Sequence, residues 1–313
     1  MQKVIKCDLC SKSNFKFLYK SYDRMFQNSG EFQVKKCINC GLFFLDPKPS
    51  ELELKKYYPS KKYYSYSSFN NKNFFGRLRE YLVSHYYNPT LLSNLISIIT
   101  RRVPAIPAYK KDGKVLDIGC GAGDTLFLLK KLGWEAYGLE IDKNAILAAL
   151  KNGLENVKEG GYKAVDKYKD NFFDAVRLYH VIEHIDDPRA CLKEIYKKLK
   201  KNGELIIGTP NIKSLNSFFF RSYWYNLDSP RHLYIFNPKT LERLLREEGY
   251  KIKKTEYCSA GGLIGSIQYF LRYKYNIKTD LLSKLWLVML FYPVDWISDK
   301  TKLGDVFVVT ATK

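Results

Sequence analysis

The sequence predicts an α/β fold: a seven-stranded, mostly parallel sheet between helices, preceded by a small cysteine-bearing module and a helical linker. Three observations predict it. From residue 113 onward, short apolar runs alternate with amphipathic helical stretches, the order that builds a parallel sheet with helices on its faces. Two Cys-x-x-Cys pairs lie ahead of that region. Between the two, residues 61–112 open with tyrosines and asparagines and then show two helical patterns punctuated by Pro89, Pro104 and Pro107. Three units follow: 1–60, 61–112 and 113–313.

In the first unit, Cys7, Cys10, Cys37 and Cys40 form two C-x-x-C knuckles, and Gly41 permits the turn after the second. Four thiolates suit tetrahedral zinc and leave no open coordination position, so the metal would be structural. Iron, or a ribbon that has lost its metal, are the other readings. No secretory signal is visible, so a reducing, cytoplasmic setting favours metal over disulfides. Residues 15–19 and 41–45 read as strands, and Asp46-Pro47-Lys48-Pro49 as a turn. Tyr57, Tyr58, Tyr63, Tyr64 and Tyr66 follow as an aromatic cluster.

The linker helices are expected over 74–87 and 91–99. In the third unit, strands are expected at 114–118, 135–139, 156–158, 173–179, 204–208, 251–258 and 305–312. The intervening helices fall near 124–132, 143–151, 188–199 and 238–248.

The first of these strands leads into Asp117-Ile118-Gly119-Cys120-Gly121-Ala122-Gly123. Glycines let the backbone turn sharply and approach a ligand without a Cβ clash. A dinucleotide fingerprint would place its third glycine where Asp124 stands. Carboxylates at this rim would repel a pyrophosphate and suit a cofactor bearing an ammonium and a sulfonium. The second strand ends at Glu140 and Ile141: the acid suits two ribose hydroxyls, and Ile141 an adenine face.

With the sequence His180-Val181-Ile182-Glu183-His184 after the fourth strand, residues 113–212 resemble the cofactor half of class I S-adenosylmethionine-dependent methyltransferases. The resemblance implies a Rossmann-like sheet whose seventh strand, 305–312, runs antiparallel at the edge. It also implies S-adenosylmethionine held by Asp117, Gly119, Gly121, Gly123, Glu140, Ile141 and Tyr179. The segment 42–50 with Tyr57 and Tyr58 is similar to methyltransferases of bacterial sugars and surface glycans.

Ligands of open α/β sheets sit outside the carboxyl ends of the strands. His180, Glu183 and His184 fall there, and His232 lies in a loop expected on the same face. Methyl transfer to a hydroxyl needs a base, for which His232 or His180 is the first candidate and Glu183 the orienting or replacing group. Glu183 and His184 also suit a purely structural role in ordering their loop. The Asn/Asp-Pro-Pro-aromatic sequence of amino-directed nucleic-acid enzymes is missing after the fourth strand.

The formal charge is +20, spread along the chain and densest in 61–112. Nucleic acid is nevertheless not the expected partner. The expected activity is O-methylation of a sugar, nucleotide-sugar or lipid-linked glycan. The alternatives are an RNA, quinone-type or sugar C-methyltransferase, or a zinc-module binding protein on an inactive scaffold. Residues 281–297, with Trp286, Phe291, Tyr292 and Trp296 between lysines, suit a peripheral membrane contact at the inner face, an internal packing helix or a dimer contact. The oligomeric state is open.

Overall fold

The computed structural model describes residues 3–58, 74–100, 105–259 and 261–313. Tyr63, Tyr64, Tyr66 and Pro104 lie outside them. The first unit is an antiparallel meander of β1 (Phe15–Ser21), β2 (Phe32–Cys37) and β3 (Phe43–Asp46), burying Phe32, Val34, Phe44 and Leu45. A one-turn helix, α1 (Glu51–Leu54), follows, its start fixed by a reciprocal Ser50–Glu53 capping box. Next come α2 (Phe74–Ser84) and α3 (Leu91–Thr100).

The main sheet is then laid down with its crossover helices. β4 (Lys114–Ile118) leads to α4 (Asp124–Lys131), β5 (Glu135–Glu140) to α5 (Lys143–Lys151), and β6 (Asn156–Glu159) follows. β7 (Phe173–Tyr179) precedes α6 (Pro188–Lys198) and β8 (Leu199–Pro210). Asp142 and Asp187 cap α5 and α6, accepting bonds from the first free amides of each helix. After β8 come α7 (Leu215–Phe220), β9 (Tyr234–Ile235), α8 (Pro238–Glu247) and β10 (Lys251–Cys258). Two helices, α9 (Gly262–Tyr275) and α10 (Leu285–Lys300), precede the last strand, β11 (Val306–Thr312).

The strand order is β10-β11-β8-β7-β4-β5-β6, with β11 antiparallel to both neighbours and the other pairings parallel. This corrects one expectation. The last strand is not the edge: it runs between β8 and β10, and β10 closes the sheet. The reason is in the side chains. Residues 306–311 carry no charge and are buried, whereas Lys251, Lys253 and Lys254 keep β10 half in water and discourage further pairing.

The pleat sends alternate residues to two cores. Leu116, Ile118 and Leu178 pack toward α6 and α8, while Val115 and Ala175 face α4, Trp134 and Val83 of α2.

The cysteine module is fastened to the sheet domain. β9 pairs with β3 (Phe43 opposite Ile235, Phe44 opposite Tyr234) and so supplies the fourth strand of the module's sheet. Cys7, Leu9, Leu42 and Phe44 share one apolar core with Tyr234, Phe236, Leu241 and Leu244. Arg231, fully buried, completes the joint. It donates to Asp23 and to the Tyr57 carbonyl on the module side, and to Asp228 on its own loop.

Candidate active site and metal centre

A cleft of about 1160 Å³ opens at the carboxyl ends of β4, β5 and β7, walled on its far side by the cysteine module. Gly119 and Gly121 line its floor, whereas Gly123 turns toward Leu154 in the core behind it; all three have left-handed φ (70°, 56° and 83°) that favour glycine. A Cβ at Gly119 would sit 2.5 Å from Val181 Cγ2, so the loop's close approach to the segment after β7 also requires the bare backbone.

Glu140, at the end of β5, is nearly buried. Its Oε2 accepts from the Gly121 amide at 2.8 Å, and its Oε1 from the amides of Ile141 (2.8 Å) and Asp142 (3.0 Å). Both oxygens are thereby aimed; Oε1 already accepts two amides, and Oε2 keeps a lone pair for a further donor. Ile141 is exposed on the cleft wall.

Asp117 is buried against Arg177, whose Nη1 donates to Oδ2 at 2.7 Å. Burial raises the Asp117 carboxyl, and the guanidinium opposes that shift. Its Oδ1 and Asp124 Oδ1 are buried without a hydrogen-bond partner among the described residues. Buried oxygens left unmatched on a cleft wall are the condition a donor-bearing ligand relieves. Among the described lining residues the acids are eight and the basic side chains four, so the cleft is acidic within a chain of charge +20. This set fits S-adenosylmethionine: the glycine floor would admit it, Glu140 would meet its hydroxyls, and the unmatched carboxylate oxygens would face its positive end.

Tyr179 lines the cleft with the Arg177 guanidinium 4.7 Å over its ring, and its hydroxyl lies 3.6 Å from Cys258 Sγ. Next along the chain, His180 takes a left-handed backbone (φ 56°), with its amide bonded to the Gly208 carbonyl at 2.8 Å. An unfavourable conformation held this way marks a constrained position. His180 Nδ1 stands 3.3 Å from Glu183 Oε1. Glu183 is fully buried. Its Oε2 accepts from Thr209 Oγ1 at 2.9 Å, while Oε1 lacks a bond of good geometry among the described residues. Burial opposes its charge, but His180 and His232 outweigh it and hold the carboxyl at about 2.

The other two residues of the group stand beside this pair. His184 lines the cleft, and its Nδ1 is 3.0 Å from both the Tyr58 hydroxyl and the Arg231 carbonyl. His232 stacks edge-on beneath it, 4.6 Å between ring centres, and does not reach the cleft wall. His232 Nδ1 is 3.0 Å from the Asn226 carbonyl, which fixes the Nδ1–H tautomer, and Nε2 lies 3.9 Å from both Glu183 and Asp228. Burial, then His184, lowers its imidazole to about 4. The structure thus brings His180 and His184 to the cleft wall and sets the buried Glu183 and His232 behind them. Glu183, His184 and His232 also have ligand atoms spaced within 4.8 Å of one another.

Sequence reasoning missed Arg177 and Arg79. A lone arginine in the apolar run of β7 was the available signal, because a charge in a buried strand needs a partner. Arg79, on α2, reaches the cleft and donates to Thr125 Oγ1 at 2.8 Å, a contact across units that no local pattern announces.

At the far wall the four cysteine sulfurs lie within 4.8 Å of one another, with Cys7–Cys40 at 3.5 Å and Cys10–Cys37 at 3.6 Å. Four sulfurs about 2.3 Å from one zinc stand about 3.8 Å apart, so the cluster fits a tetrahedral ion with little rearrangement. Paired turns hold it: the Ser11 amide bonds the Cys7 carbonyl, and the Gly41 amide the Cys37 carbonyl.

The strand order, the glycine floor and the acid ending the second parallel strand define a class I S-adenosylmethionine-dependent methyltransferase fold. The model of one family, described as "Methyltransferase domain", matches residues 90–255, and the chain belongs to that family. Among known proteins it is similar to the ubiquinone biosynthesis O-methyltransferase of Pelagibacter ubique, with 33% identity over 144 residues, 44% of this chain and 58% of that one. The protein of the same name from Idiomarina loihiensis is 30% identical over 103 residues, 31% and 42% of the two chains. The chain therefore spans about half the length of these relatives. A methyltransferase structure from Archaeoglobus fulgidus aligns with 77% of this chain and 100% of its own, at 22% identity and a TM-score of 0.47.

Proposed function

We propose that this enzyme transfers the methyl of S-adenosylmethionine to a hydroxyl oxygen of an aromatic, quinone-type acceptor. The observation that carries the reading is His180, on the wall of the same cleft as the acidic rim and 3.3 Å from the buried carboxylate of Glu183. When bound, S-adenosylmethionine supplies an electrophilic methyl on a sulfonium. Glu140 would hold the ribose, and the free oxygens of Asp117 and Asp124 would face the cationic end. His180, its Nδ1 turned toward Glu183, presents Nε2 to take the acceptor's proton. Glu183 stabilises the imidazolium that results. His232 would act from behind as a neutral positioning residue.

Two considerations favour a quinone-type acceptor over the expected sugar. The relatives are named for ubiquinone biosynthesis. An imidazole is also a far better match for an aromatic hydroxyl, of acidity about that of tyrosine, than for the much weaker acid of a sugar ring. A sugar or lipid-linked glycan hydroxyl is the second reading, because the acceptor wall is built from the module, outside residues 90–255. The module itself is proposed to hold one structural zinc through Cys7, Cys10, Cys37 and Cys40.

The test is methyl transfer from radiolabelled S-adenosylmethionine to a catechol bearing a short prenyl tail, alongside a panel of nucleotide-sugars. Label in the catechol supports the proposal; label only in a sugar overturns the acceptor class. His180→Ala is expected to lower kcat by about 10²–10⁴ while leaving cofactor affinity unchanged.

A further inference from the structure

Two helices of this chain are turned inside out. In α10 the side chains that face the protein are Asp295, Ser298 and Asp299, while Trp286, Met289, Leu290 and Ile297 are each more than half exposed. The spacing of 286, 289, 290 and 297 puts them on one helical stripe. α3 repeats the pattern: Ser93 is buried, whereas Leu91, Leu92, Leu95 and Ile98 are between 55% and 89% exposed, again on one stripe. The two helices meet where Trp296 Nε1 approaches the Ile98 carbonyl at 3.5 Å. An apolar surface of this extent on a polar protein marks a place where something binds.

Charge selects the occupant. Between residues 274 and 302 the exposed charges are Lys274, Lys278, Lys284, Lys300 and Lys302, against Asp280 alone among the acids. Lys284 stands immediately before α10, and Lys300 lies over the Trp296 ring. No helix among the described residues is long and apolar enough to cross a membrane. A second copy would bring one +20 chain against another. An anionic bilayer surface matches both halves of the design, the apolar stripe entering the acyl boundary and the lysines meeting headgroups.

We infer that α3 and α10 together form a docking face for an anionic membrane surface. The face is connected to the cleft through neighbouring elements. α3 follows α2, which supplies Arg79 to the cleft wall, and the buried side of α10 bonds Ser259 beside Cys258, the neighbour of Tyr179. The inference is independent of which hydroxyl is methylated.

The full-length protein tests it by co-sedimentation with vesicles of phosphatidylglycerol and phosphatidylcholine, against phosphatidylcholine alone. Binding to the anionic vesicles is expected, weakened at least about tenfold by Leu290→Glu and, separately, by Leu95→Glu. Both positions are exposed, and unchanged S-adenosylmethionine affinity and circular dichroism confirm that the variants fold. Lipid brominated near the carbonyl end of its chains should quench tryptophan fluorescence in the wild type and much less in Trp286→Phe. Anionic binding that neither glutamate variant weakens would reduce the attraction to bulk charge and overturn the inference. So would a dimer in sedimentation equilibrium that Leu290→Glu dissociates, or an absence of vesicle binding.

Discussion

His180 answers two constraints at once, since its backbone is held left-handed by the Gly208 carbonyl while its ring is turned toward Glu183. The neighbouring His232 is fixed in one tautomer and kept neutral by burial. That carries a pH signature. A histidine whose folded-state value is about 4 against an ordinary 6.5 binds its proton less readily when folded, so its contribution is complete above pH 6.5 and is lost as pH falls toward 4. The loss is on the order of 3 kcal/mol, and it should disappear in His232→Gln, measured as denaturant midpoints across that range. At Glu140, three amides position the carboxylate. Calorimetry on Glu140→Ala should show weaker binding of both S-adenosylmethionine and its demethylated product, by about tenfold or more. The glycines, Asp117 and Glu140 were legible in the sequence because a strand-to-helix turn at a sheet edge demands those residue types locally. The retreat of His232 from the cleft was not, because it depends on a stacking contact between residues 184 and 232 that only the assembled fold creates.

Among the elements, β11 and α10 show where pattern reading succeeds and where it stops. A short apolar run placed a strand at the end of the chain, but its neighbours follow from which competing strand tolerates water, and the lysines of β10 decide that. The apolar run of α10 was visible, while its orientation was set by carboxylates: Asp299 accepts from the Ser259 amide and hydroxyl, and Asp295 is buried beside it. Burial, then repulsion from Asp305, raises the Asp295 carboxyl to about 7. A raised acid disfavours folding once it must ionise, so stability on this account falls as pH climbs from about 4 through 7. This slope opposes that of His232. Asp295→Asn is therefore expected to raise the melting temperature most at pH 8, less at pH 5 and little below pH 4.

Across the whole molecule, the cysteine module is a wall of the cleft and not an appendage. Composition suggests a boundary near residue 60, which lies outside the described residues; the joint was not readable, since Asp23, Tyr57 and Arg231 meet only in space. Arg231→Ala leaves Asp23 and Asp228 without their buried partner and is expected to cost about 3–5 kcal/mol by equilibrium unfolding. Metal analysis should give one zinc per chain, and Cys37→Ser should abolish it. A full zinc count in that variant would remove the four-thiolate proposal.

The two-residue strand β9 has a bearing on how the chain is made. A ribosome releases the cysteine knuckles and β3 long before Tyr234 exists, so the nascent module has an open flank carrying Phe43 and Phe44. Until the partner segment is translated, that flank is a docking edge for other nascent polypeptides.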